Sequence, residues 1–249
     1  MFPTQDIVLV GLLGHKIAYS ASPAMQNAAF RAAGLTDWSY ELFDVPPEEL
    51  AAAVAALRLP ARAGANVTIP HKLAVVPLID ECDELATRVG AVNFIRREGE
   101  RLIGGNTDVA GVRAALEEVG WRGGRAVILG RGGSARATAV ALGDVDVEYV
   151  TRDNWEERGA LCRAADLVVN CTPLGRGGEA VIRPADLPRV AVVDLVYAAG
   201  GTPLVAAARA AGLPVADGWA VLLAQGAASF TGWTSLPAPL AAMRAALAT

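Results

Sequence analysis

Apolar and polar positions along the chain switch repeatedly between strand-like and helix-like spacing. Asp6 to Gly14 is an apolar run of strand length. Pro23 to Ala33 reads as a helix with proline in its first turn and Ser22 placed to cap it. Ser39 to Val45 alternates as a half-buried strand, and Pro47 to Leu57 opens with proline and two glutamates, as a helix does. Ala65 to Ile69 is a third strand, followed by helical stretches around Lys72–Ile79 and Asp83–Val89. Ala91–Arg96 and Arg101–Gly105 flank a Glu98-Gly99-Glu100 turn and predict a hairpin. Thr107 to Val119 is helical and stops at Gly120.

A second α/β segment starts at Arg125. Ala126-Val127-Ile128-Leu129 is the continuous apolar run of a strand buried on both faces. A glycine loop and a helix follow, then strands at Val145–Val150, Leu167–Cys171 and Val190–Leu195. Thr202–Ala211, Trp219–Trp233 and Pro239–Ala248 read as helices. Alternating strands and helices imply parallel pairing. The expected division is a first domain over 1–120 and a second over 121–236, with Gly120–Gly124 as the boundary and 237–249 packing back on the first.

Composition narrows the options. With 53% hydrophobic and 19% charged residues, the chain is built to bury a core. A net charge of −4 with no basic run argues against a nucleic-acid surface. No apolar stretch has membrane-spanning length, and Met1–Gln5 lacks the basic flank of a signal peptide. Cys82, Cys162 and Cys171 are odd in number and without metal-pair spacing, so they read as free thiols in a reducing cytoplasm. With only His15 and His71 as imidazoles, no metal site is expected.

Two stretches carry chemistry. Gly64-Ala65-Asn66-Val67-Thr68-Ile69-Pro70-His71-Lys72 reads as a strand, Asn66 to Ile69, ended by Pro70, which lacks an N–H and holds Ile69 extended. The turn presents Thr68, His71 and Lys72 at a strand end, where open α/β sheets bind ligands. A hydroxyl, an imidazole and an amine suit a polyol or keto acid, with His71 more suited to fixing the turn. The other stretch is Gly130-Arg131-Gly132-Gly133-Ser134-Ala135, the G-x-G-x-x-A dinucleotide fingerprint between a strand and a helix. Its glycines admit a pyrophosphate to backbone N–H groups at a helix N-terminus. Thr151, Arg152 and Asp153 stand about twenty residues on; an arginine there accepts the 2′-phosphate of NADP, an acid holds the diol of NAD. Arg152 is nearer the strand end and favours NADP, with NAD as the alternative. Only about fourteen residues separate Arg152 from Leu167, too few for two crossovers and a strand. One βα unit on the adenosine side is therefore abbreviated.

These motifs, in order, resemble the shikimate dehydrogenase family almost end to end. The resemblance rests on Gly11-Leu12-Leu13-Gly14, Ser20-Ala21-Ser22-Pro23, Met25-Gln26-Asn27, Asn66–Lys72, Gly90-Ala91-Val92-Asn93, Gly105-Asn106-Thr107-Asp108 and the Gly130 loop. It continues through Asn170-Cys171-Thr172-Pro173-Leu174-Gly175, Asp194-Leu195-Val196-Tyr197 and Gln225. It implies an N-terminal α/β substrate domain and a C-terminal Rossmann-like dinucleotide-binding domain. It assigns Lys72 and Asp108 to catalysis, Ser20 and Ser22 to a substrate carboxylate, and Thr68, Asn93, Tyr197 and Gln225 to a hydroxylated ring. Thr172, Leu195 and Gly218 join the glycine loop, Thr151 and Arg152 on the coenzyme. The implied activity is NADPH-dependent reduction of 3-dehydroshikimate in aromatic amino acid and chorismate biosynthesis, by a cytoplasmic monomer or homodimer. The chain departs from the family pattern at Lys16, Tyr19, Phe94, Val109, Arg131, Ala199 and Val221. Tyr19, Phe94 and Val109 leave a dehydrogenase of quinate, aminoshikimate or another cyclic polyol acid as an alternative. Arg131 and the short crossover leave a substrate-binding or regulatory homologue with impaired coenzyme binding as another.

Overall fold

The computed structural model describes residues 7–248, so Met1–Gln5, and Asp6 of the first expected strand, lie outside the described residues. Contacts divide the chain into two units. One comprises residues up to Thr107 and from Gln225 onward, and the other runs from Asp108 to Ala224.

The first unit holds β1 (Val8–Gly14), α1 (Ser22–Ala32), β2 (Trp38–Asp44), α2 (Leu50–Ala56), β3 (Gly64–Val67), β4 (Glu81–Cys82), α3 (Glu84–Val89), β5 (Phe94–Glu98) and β6 (Arg101–Gly105). Its six-stranded sheet has the order β2-β1-β3-β5-β6-β4. β1 pairs in parallel with β2 and β3, whereas β5 runs antiparallel to both β3 and β6. The expected hairpin is therefore present, with Glu98 opposite Arg101. Leu13, Val67, Ile95 and Leu102 from the sheet close a core with Leu50, Val54 and Leu57 from α2 and its C-cap.

Local detail differs from the expectation in four places. Ser22 is the first helical residue of α1, not its cap, because Ser20 Oγ accepts the Ser22 N–H (3.2 Å) from two residues upstream. Pro47–Glu49 is a 3₁₀ turn before α2. β3 ends at Val67, not Ile69, because its ladder to β5 ends at Asn66–Phe94 and the His71 N–H turns back to Thr68 O (2.8 Å). Lys72–Ile79 forms turns and a 3₁₀ segment at Val76–Leu78 rather than a helix, since Pro77 has no N–H for an α-helical ladder.

The second unit holds α4 (Asp108–Glu118), β7 (Arg125–Leu129), α5 (Gly133–Leu142), β8 (Asp146–Val150), α6 (Arg158–Ala164), β9 (Leu167–Asn170), β10 (Ala191–Asp194), α7 (Pro203–Ala210) and β11 (Val215–Ala216). Its sheet is parallel throughout, in the order β11-β10-β9-β7-β8. Alternate residues explain the continuous apolar runs. Ala126, Ile128, Leu167 and Val169 pack on one face, and Val127, Leu129 and Val168 on the other. α4, expected with the first domain, packs on α5 and β11 in this unit. α8 (Gly218–Thr234) runs through the second division of the chain, and α9 (Leu240–Leu247) packs on α1 in the first unit.

The abbreviated crossover is visible as such. β8 is followed by a 3₁₀ turn at Trp155–Glu157, then α6, and the chain re-enters on the other side of β7 as β9. Among the described residues no strand lies beyond β8. None of their helices is long and apolar enough to cross a membrane.

A buried carboxylate pins this region. Asp186, 2% exposed, accepts from Arg183 Nε (2.7 Å) and from Arg163. The Arg183 guanidinium, with Arg163 beside it, holds the Asp186 carboxyl below its usual value. A lowered folded-state value means that these ion pairs stabilise the fold above about pH 4, and that this contribution disappears as the pH falls through the folded-state value. Asp186→Asn should therefore lose less stability than wild type on acidification from about pH 6 to pH 3, measured by urea unfolding at each pH. Equal losses in the two proteins would remove Asp186 from the acid response.

Candidate functional site

In the first unit the candidate residues gather at strand ends. β1 ends at Gly14, and the chain continues to Ser20 and Ser22 at the start of α1. β3 ends beside it, and the Thr68 N–H donates to Leu13 O (2.9 Å). Thr68 and Lys72 are half-buried on the turn, where the Ile69–Pro70 peptide bond is cis. His71 is buried, with Nε2 2.7 Å from Val45 O, which ties the turn to the end of β2. The Lys72 carbonyl accepts the Val92 N–H (2.9 Å), fixing the backbone from which the lysine projects.

Asn93 and Gln225 are brought together by three residues outside the expected set. Asn93 Nδ2 donates to Thr107 Oγ1 (3.0 Å), and Asn93 Oδ1 accepts the Thr107 N–H (2.6 Å). Thr107 Oγ1 lies 3.1 Å from Ser229 Oγ and a long 3.5 Å from Gln225 Oε1. Ser229 Oγ donates to Gln225 O (3.0 Å), so its single proton is committed and Thr107 is the donor between the two hydroxyls. Asn66 Nδ2 donates to Ser229 Oγ (2.8 Å) and Asn93 O (3.2 Å), while Asn66 Oδ1 accepts from the Tyr40 hydroxyl (3.0 Å). Ser229 was readable in principle, because it stands four residues after Gln225 on one helix face. Tyr40 and Thr107 carry no such local signal.

In the second unit Asp108 is buried as the first residue of α4, where a helix dipole favours a carboxylate. Gly130 turns the chain off β7 at φ +106°, a conformation that L side chains rarely adopt, and its N–H donates to Val150 O (2.8 Å). Gly132 precedes α5 without a side-chain cap, and a Cβ built on it meets nothing within 4 Å. Ala135 is fully buried in the core under the loop. The open space over Gly132 and the uncapped N–H groups of a ten-residue helix fit a pyrophosphate. A cavity of about 790 Å³ adjoins the loop, bordered by Arg131, Thr151, Arg152, Trp155 and Thr172 among others. Asp153, the acid of the NAD alternative, also borders it, as does Trp155, which was not in the expected set.

The remaining expected residues are held mainly by packing and local bonds. Thr172 Oγ1 donates to Asn170 Oδ1 (2.7 Å) and accepts from the Leu174 N–H (3.2 Å). Tyr197 stacks on Trp219, centroids 4.7 Å apart, with the Arg176 guanidinium 5.0 Å from its ring. Gly218 meets the backbone of Leu195–Tyr197 so closely that a Cβ would collide with it. Ser134 O accepts from Thr138 Oγ1 (2.9 Å), and Leu195 packs against the core on one sheet face. Buried Asp194 accepts from Asn170 Nδ2 (2.9 Å), the Val196 N–H (3.0 Å) and Thr202 Oγ1 (2.6 Å). Burial pushes its carboxyl up, and the Thr202, Val196 and Asn170 donors oppose that.

A parallel sheet whose first strand feeds a glycine loop, in one chain with a strand-end cluster of hydroxyls, amides and a lysine, defines a pyridine-dinucleotide-dependent oxidoreductase. Residues 12–95 match the family model described as the shikimate dehydrogenase substrate binding domain. The chain is 44% identical to the shikimate dehydrogenase (NADP(+)) of Moorella thermoacetica, covering 94% of this chain and 90% of that protein. It is 41% identical to that of Symbiobacterium thermophilum, covering 96% and 92%. The crystal structure of shikimate 5-dehydrogenase from Thermus thermophilus in complex with NADP(H) and shikimate is also similar. It shares 35% identity, covers 96% of this chain and 98% of its own, and has a TM-score of 0.86. The chain belongs to the shikimate dehydrogenase family. Its alignment with the Moorella protein runs over 268 positions, more than the 249 residues of the chain, so this chain is shortened internally relative to that protein.

The hydroxyl network predicts its own weak point. Ser229→Ala leaves a buried Asn66 N–H without its acceptor, while the Thr107 hydroxyl keeps Asn93 Oδ1 at 3.3 Å. The substitution should cost about 1–3 kcal/mol of stability in urea unfolding. An unchanged midpoint and slope would show that the network contributes nothing to the fold.

Proposed function

We propose that the chain reduces 3-dehydroshikimate to shikimate with NADPH, reversibly, with Lys72 and Asp108 handling the proton. The observation that carries this reading is the near full-length identity to proteins of that named activity, in a chain that has both catalytic side chains and the polar ligand set. The first unit holds the substrate and the second the coenzyme.

Ser20 and Ser22 offer hydroxyls to the substrate carboxylate, and Thr68, Asn93 and Gln225 offer groups that donate and accept to the ring hydroxyls. Tyr197 flanks the ring. Bound NADPH supplies the hydride to the ring carbonyl carbon. Lys72 donates a proton to the carbonyl oxygen as negative charge develops there, so ketone becomes alcohol and the amine is left neutral. Asp108 orients and tunes Lys72. In the reverse direction neutral Lys72 takes the hydroxyl proton. The substrate is a small molecule, and the reaction belongs in the cytoplasm, in keeping with three free cysteines among the described residues.

NADPH consumption with 3-dehydroshikimate tests this directly, and a wild type without turnover would sink it. Lys72→Ala should lower kcat by about 10²- to 10⁴-fold. Shikimate binding, measured by calorimetry, should change far less, because the lost interaction belongs to the transition state.

A further inference from the structure

Building on the coenzyme reading above, we infer that Arg131 is a specificity-determining residue that closes with Arg152 on the 2′-phosphate of NADP. The register of the parallel strands makes the first argument. β7 and β8 pair Leu129 with Val150, and the Gly130 N–H continues the ladder to Val150 O at 2.8 Å. Arg131 and Arg152 each stand two residues past that last pair, so they leave neighbouring strands at matched positions. Adjacent strands lie about 4.8 Å apart. Both residues are exposed, and both border the same cavity within one unit.

The second argument is charge. Neither guanidinium makes a hydrogen bond or ion pair with any described residue. Asp153 and Glu156 also border the cavity, yet neither carboxylate is paired with either arginine. The loop's own polar groups are already used internally. Asn154 Oδ1 accepts the Thr151 N–H (2.7 Å), Asn154 Nδ2 donates to Tyr149 O (3.0 Å), and Thr151 Oγ1 accepts the Asp153 N–H (3.3 Å). This bracing holds the backbone of Arg152 while its side chain stays available. Two neighbouring cations with no carboxylate paired to either repel, and a phosphate monoester dianion relieves that repulsion with oxygens suited to guanidinium forks.

The third argument separates this phosphate from the pyrophosphate. Backbone N–H groups over Gly132 and the start of α5 already fit the pyrophosphate, so that subsite needs no arginine. With no strand beyond β8 among the described residues, there is no neighbouring strand end to wall the adenosine side. A cation rising from the glycine loop supplies a second wall from the side that remains.

Calorimetric titration of wild type, Arg131→Ala, Arg131→Lys and Arg152→Ala with NADP⁺, NAD⁺, adenosine 2′,5′-bisphosphate and 5′-AMP tests this. Circular dichroism first checks that each variant is folded. Arg131→Ala should weaken NADP⁺ and the bisphosphate about tenfold or more, a change expected for one charge-assisted contact, while NAD⁺ and 5′-AMP move less than about threefold. Arg131→Lys should restore part of the loss, and raised salt should shrink the difference. Equal weakening of NADP⁺ and NAD⁺ would assign Arg131 to the pyrophosphate and overturn the inference. Unchanged or tighter NADP⁺ binding in Arg131→Ala would overturn it as well. A wild type that binds neither NADP⁺ nor the bisphosphate would remove the coenzyme reading itself. Bound NADP⁺ with unaltered selectivity in Arg131→Ala removes only the role of Arg131.

Discussion

Burying a carboxamide in the middle of a sheet is the constraint on which the first unit depends. Asn66 is 5% exposed on β3, and each of its polar atoms left without a partner would cost on the order of 1–3 kcal/mol. Its partners come from three different places: Tyr40 on β2, the Asn93 carbonyl just before β5, and Ser229 on α8. No one of these elements can shift without breaking a buried hydrogen bond. The side chains proposed to grip the substrate ring, Asn93 and Gln225, hang from the same network through Thr107 and Ser229. A ligand set held by fold-stabilising bonds is organised before substrate arrives, which is what selective binding of a polyol requires. The close approach of α8 serves the same end. Gln26 Nε2 donates to Gly226 O (2.9 Å), and Trp233 Nε1 donates to Ile95 O (2.9 Å).

That packing also disposes of one departure from the family pattern. Phe94 is 5% exposed, its ring lies 5.3 Å from that of Trp233, and it fills the space where a Cβ on Gly232 would sit. Its bulk is therefore spent in the core beside α8. Of the three substitutions that pointed towards another cyclic acid, Phe94 and Val109 are buried and Tyr19 is half exposed. Near full-length identity to shikimate dehydrogenases likewise does not favour that alternative.

Much of this was legible in the sequence because it is local. The strands of the second sheet are continuous apolar runs, and the Glu98–Arg101 turn sits between two β-rich segments. The glycine loop announces itself because backbone geometry and chemistry coincide in six residues. Other features depend on partners distant in sequence. β4 and β11 are two-residue strands, defined by pairing with β6 and β10 and not by any period of their own. Tyr40 alternates inward like any strand residue, and only the folded chain shows that its hydroxyl meets Asn66. Lys72–Ile79 had helix-like hydrophobicity, but Pro77 has no N–H to continue a helical ladder. Ser22 looked like a cap because serine favours that position, but Ala21 stands there and the Ser22 N–H donates to Ser20 Oγ.

The shortened crossover shows why such a loss is tolerated where it falls. The connections from β7 to β8, and from β10 to β11, each retain a full helix. The path from β8 to β9 is reduced to a 3₁₀ turn and the seven residues of α6, and the path from β9 to β10 holds no α-helix, only a 3₁₀ turn at Pro184–Asp186. A strand beyond β8 would touch one neighbour, so its absence breaks no ladder among β7, β9 and β10 and leaves both apolar clusters closed. What it exposes is an edge, and an unpaired edge invites association with another chain. β8 carries Asp146 and Glu148 along that edge, within 3.8 Å and 3.6 Å of the Arg125 guanidinium on β7. Those charges discourage pairing while the ladder to β7 stays intact. The strand ends that feed the glycine loop and Arg152 are set by that ladder, so the part of the sheet proposed to face the coenzyme phosphates does not depend on a strand beyond β8.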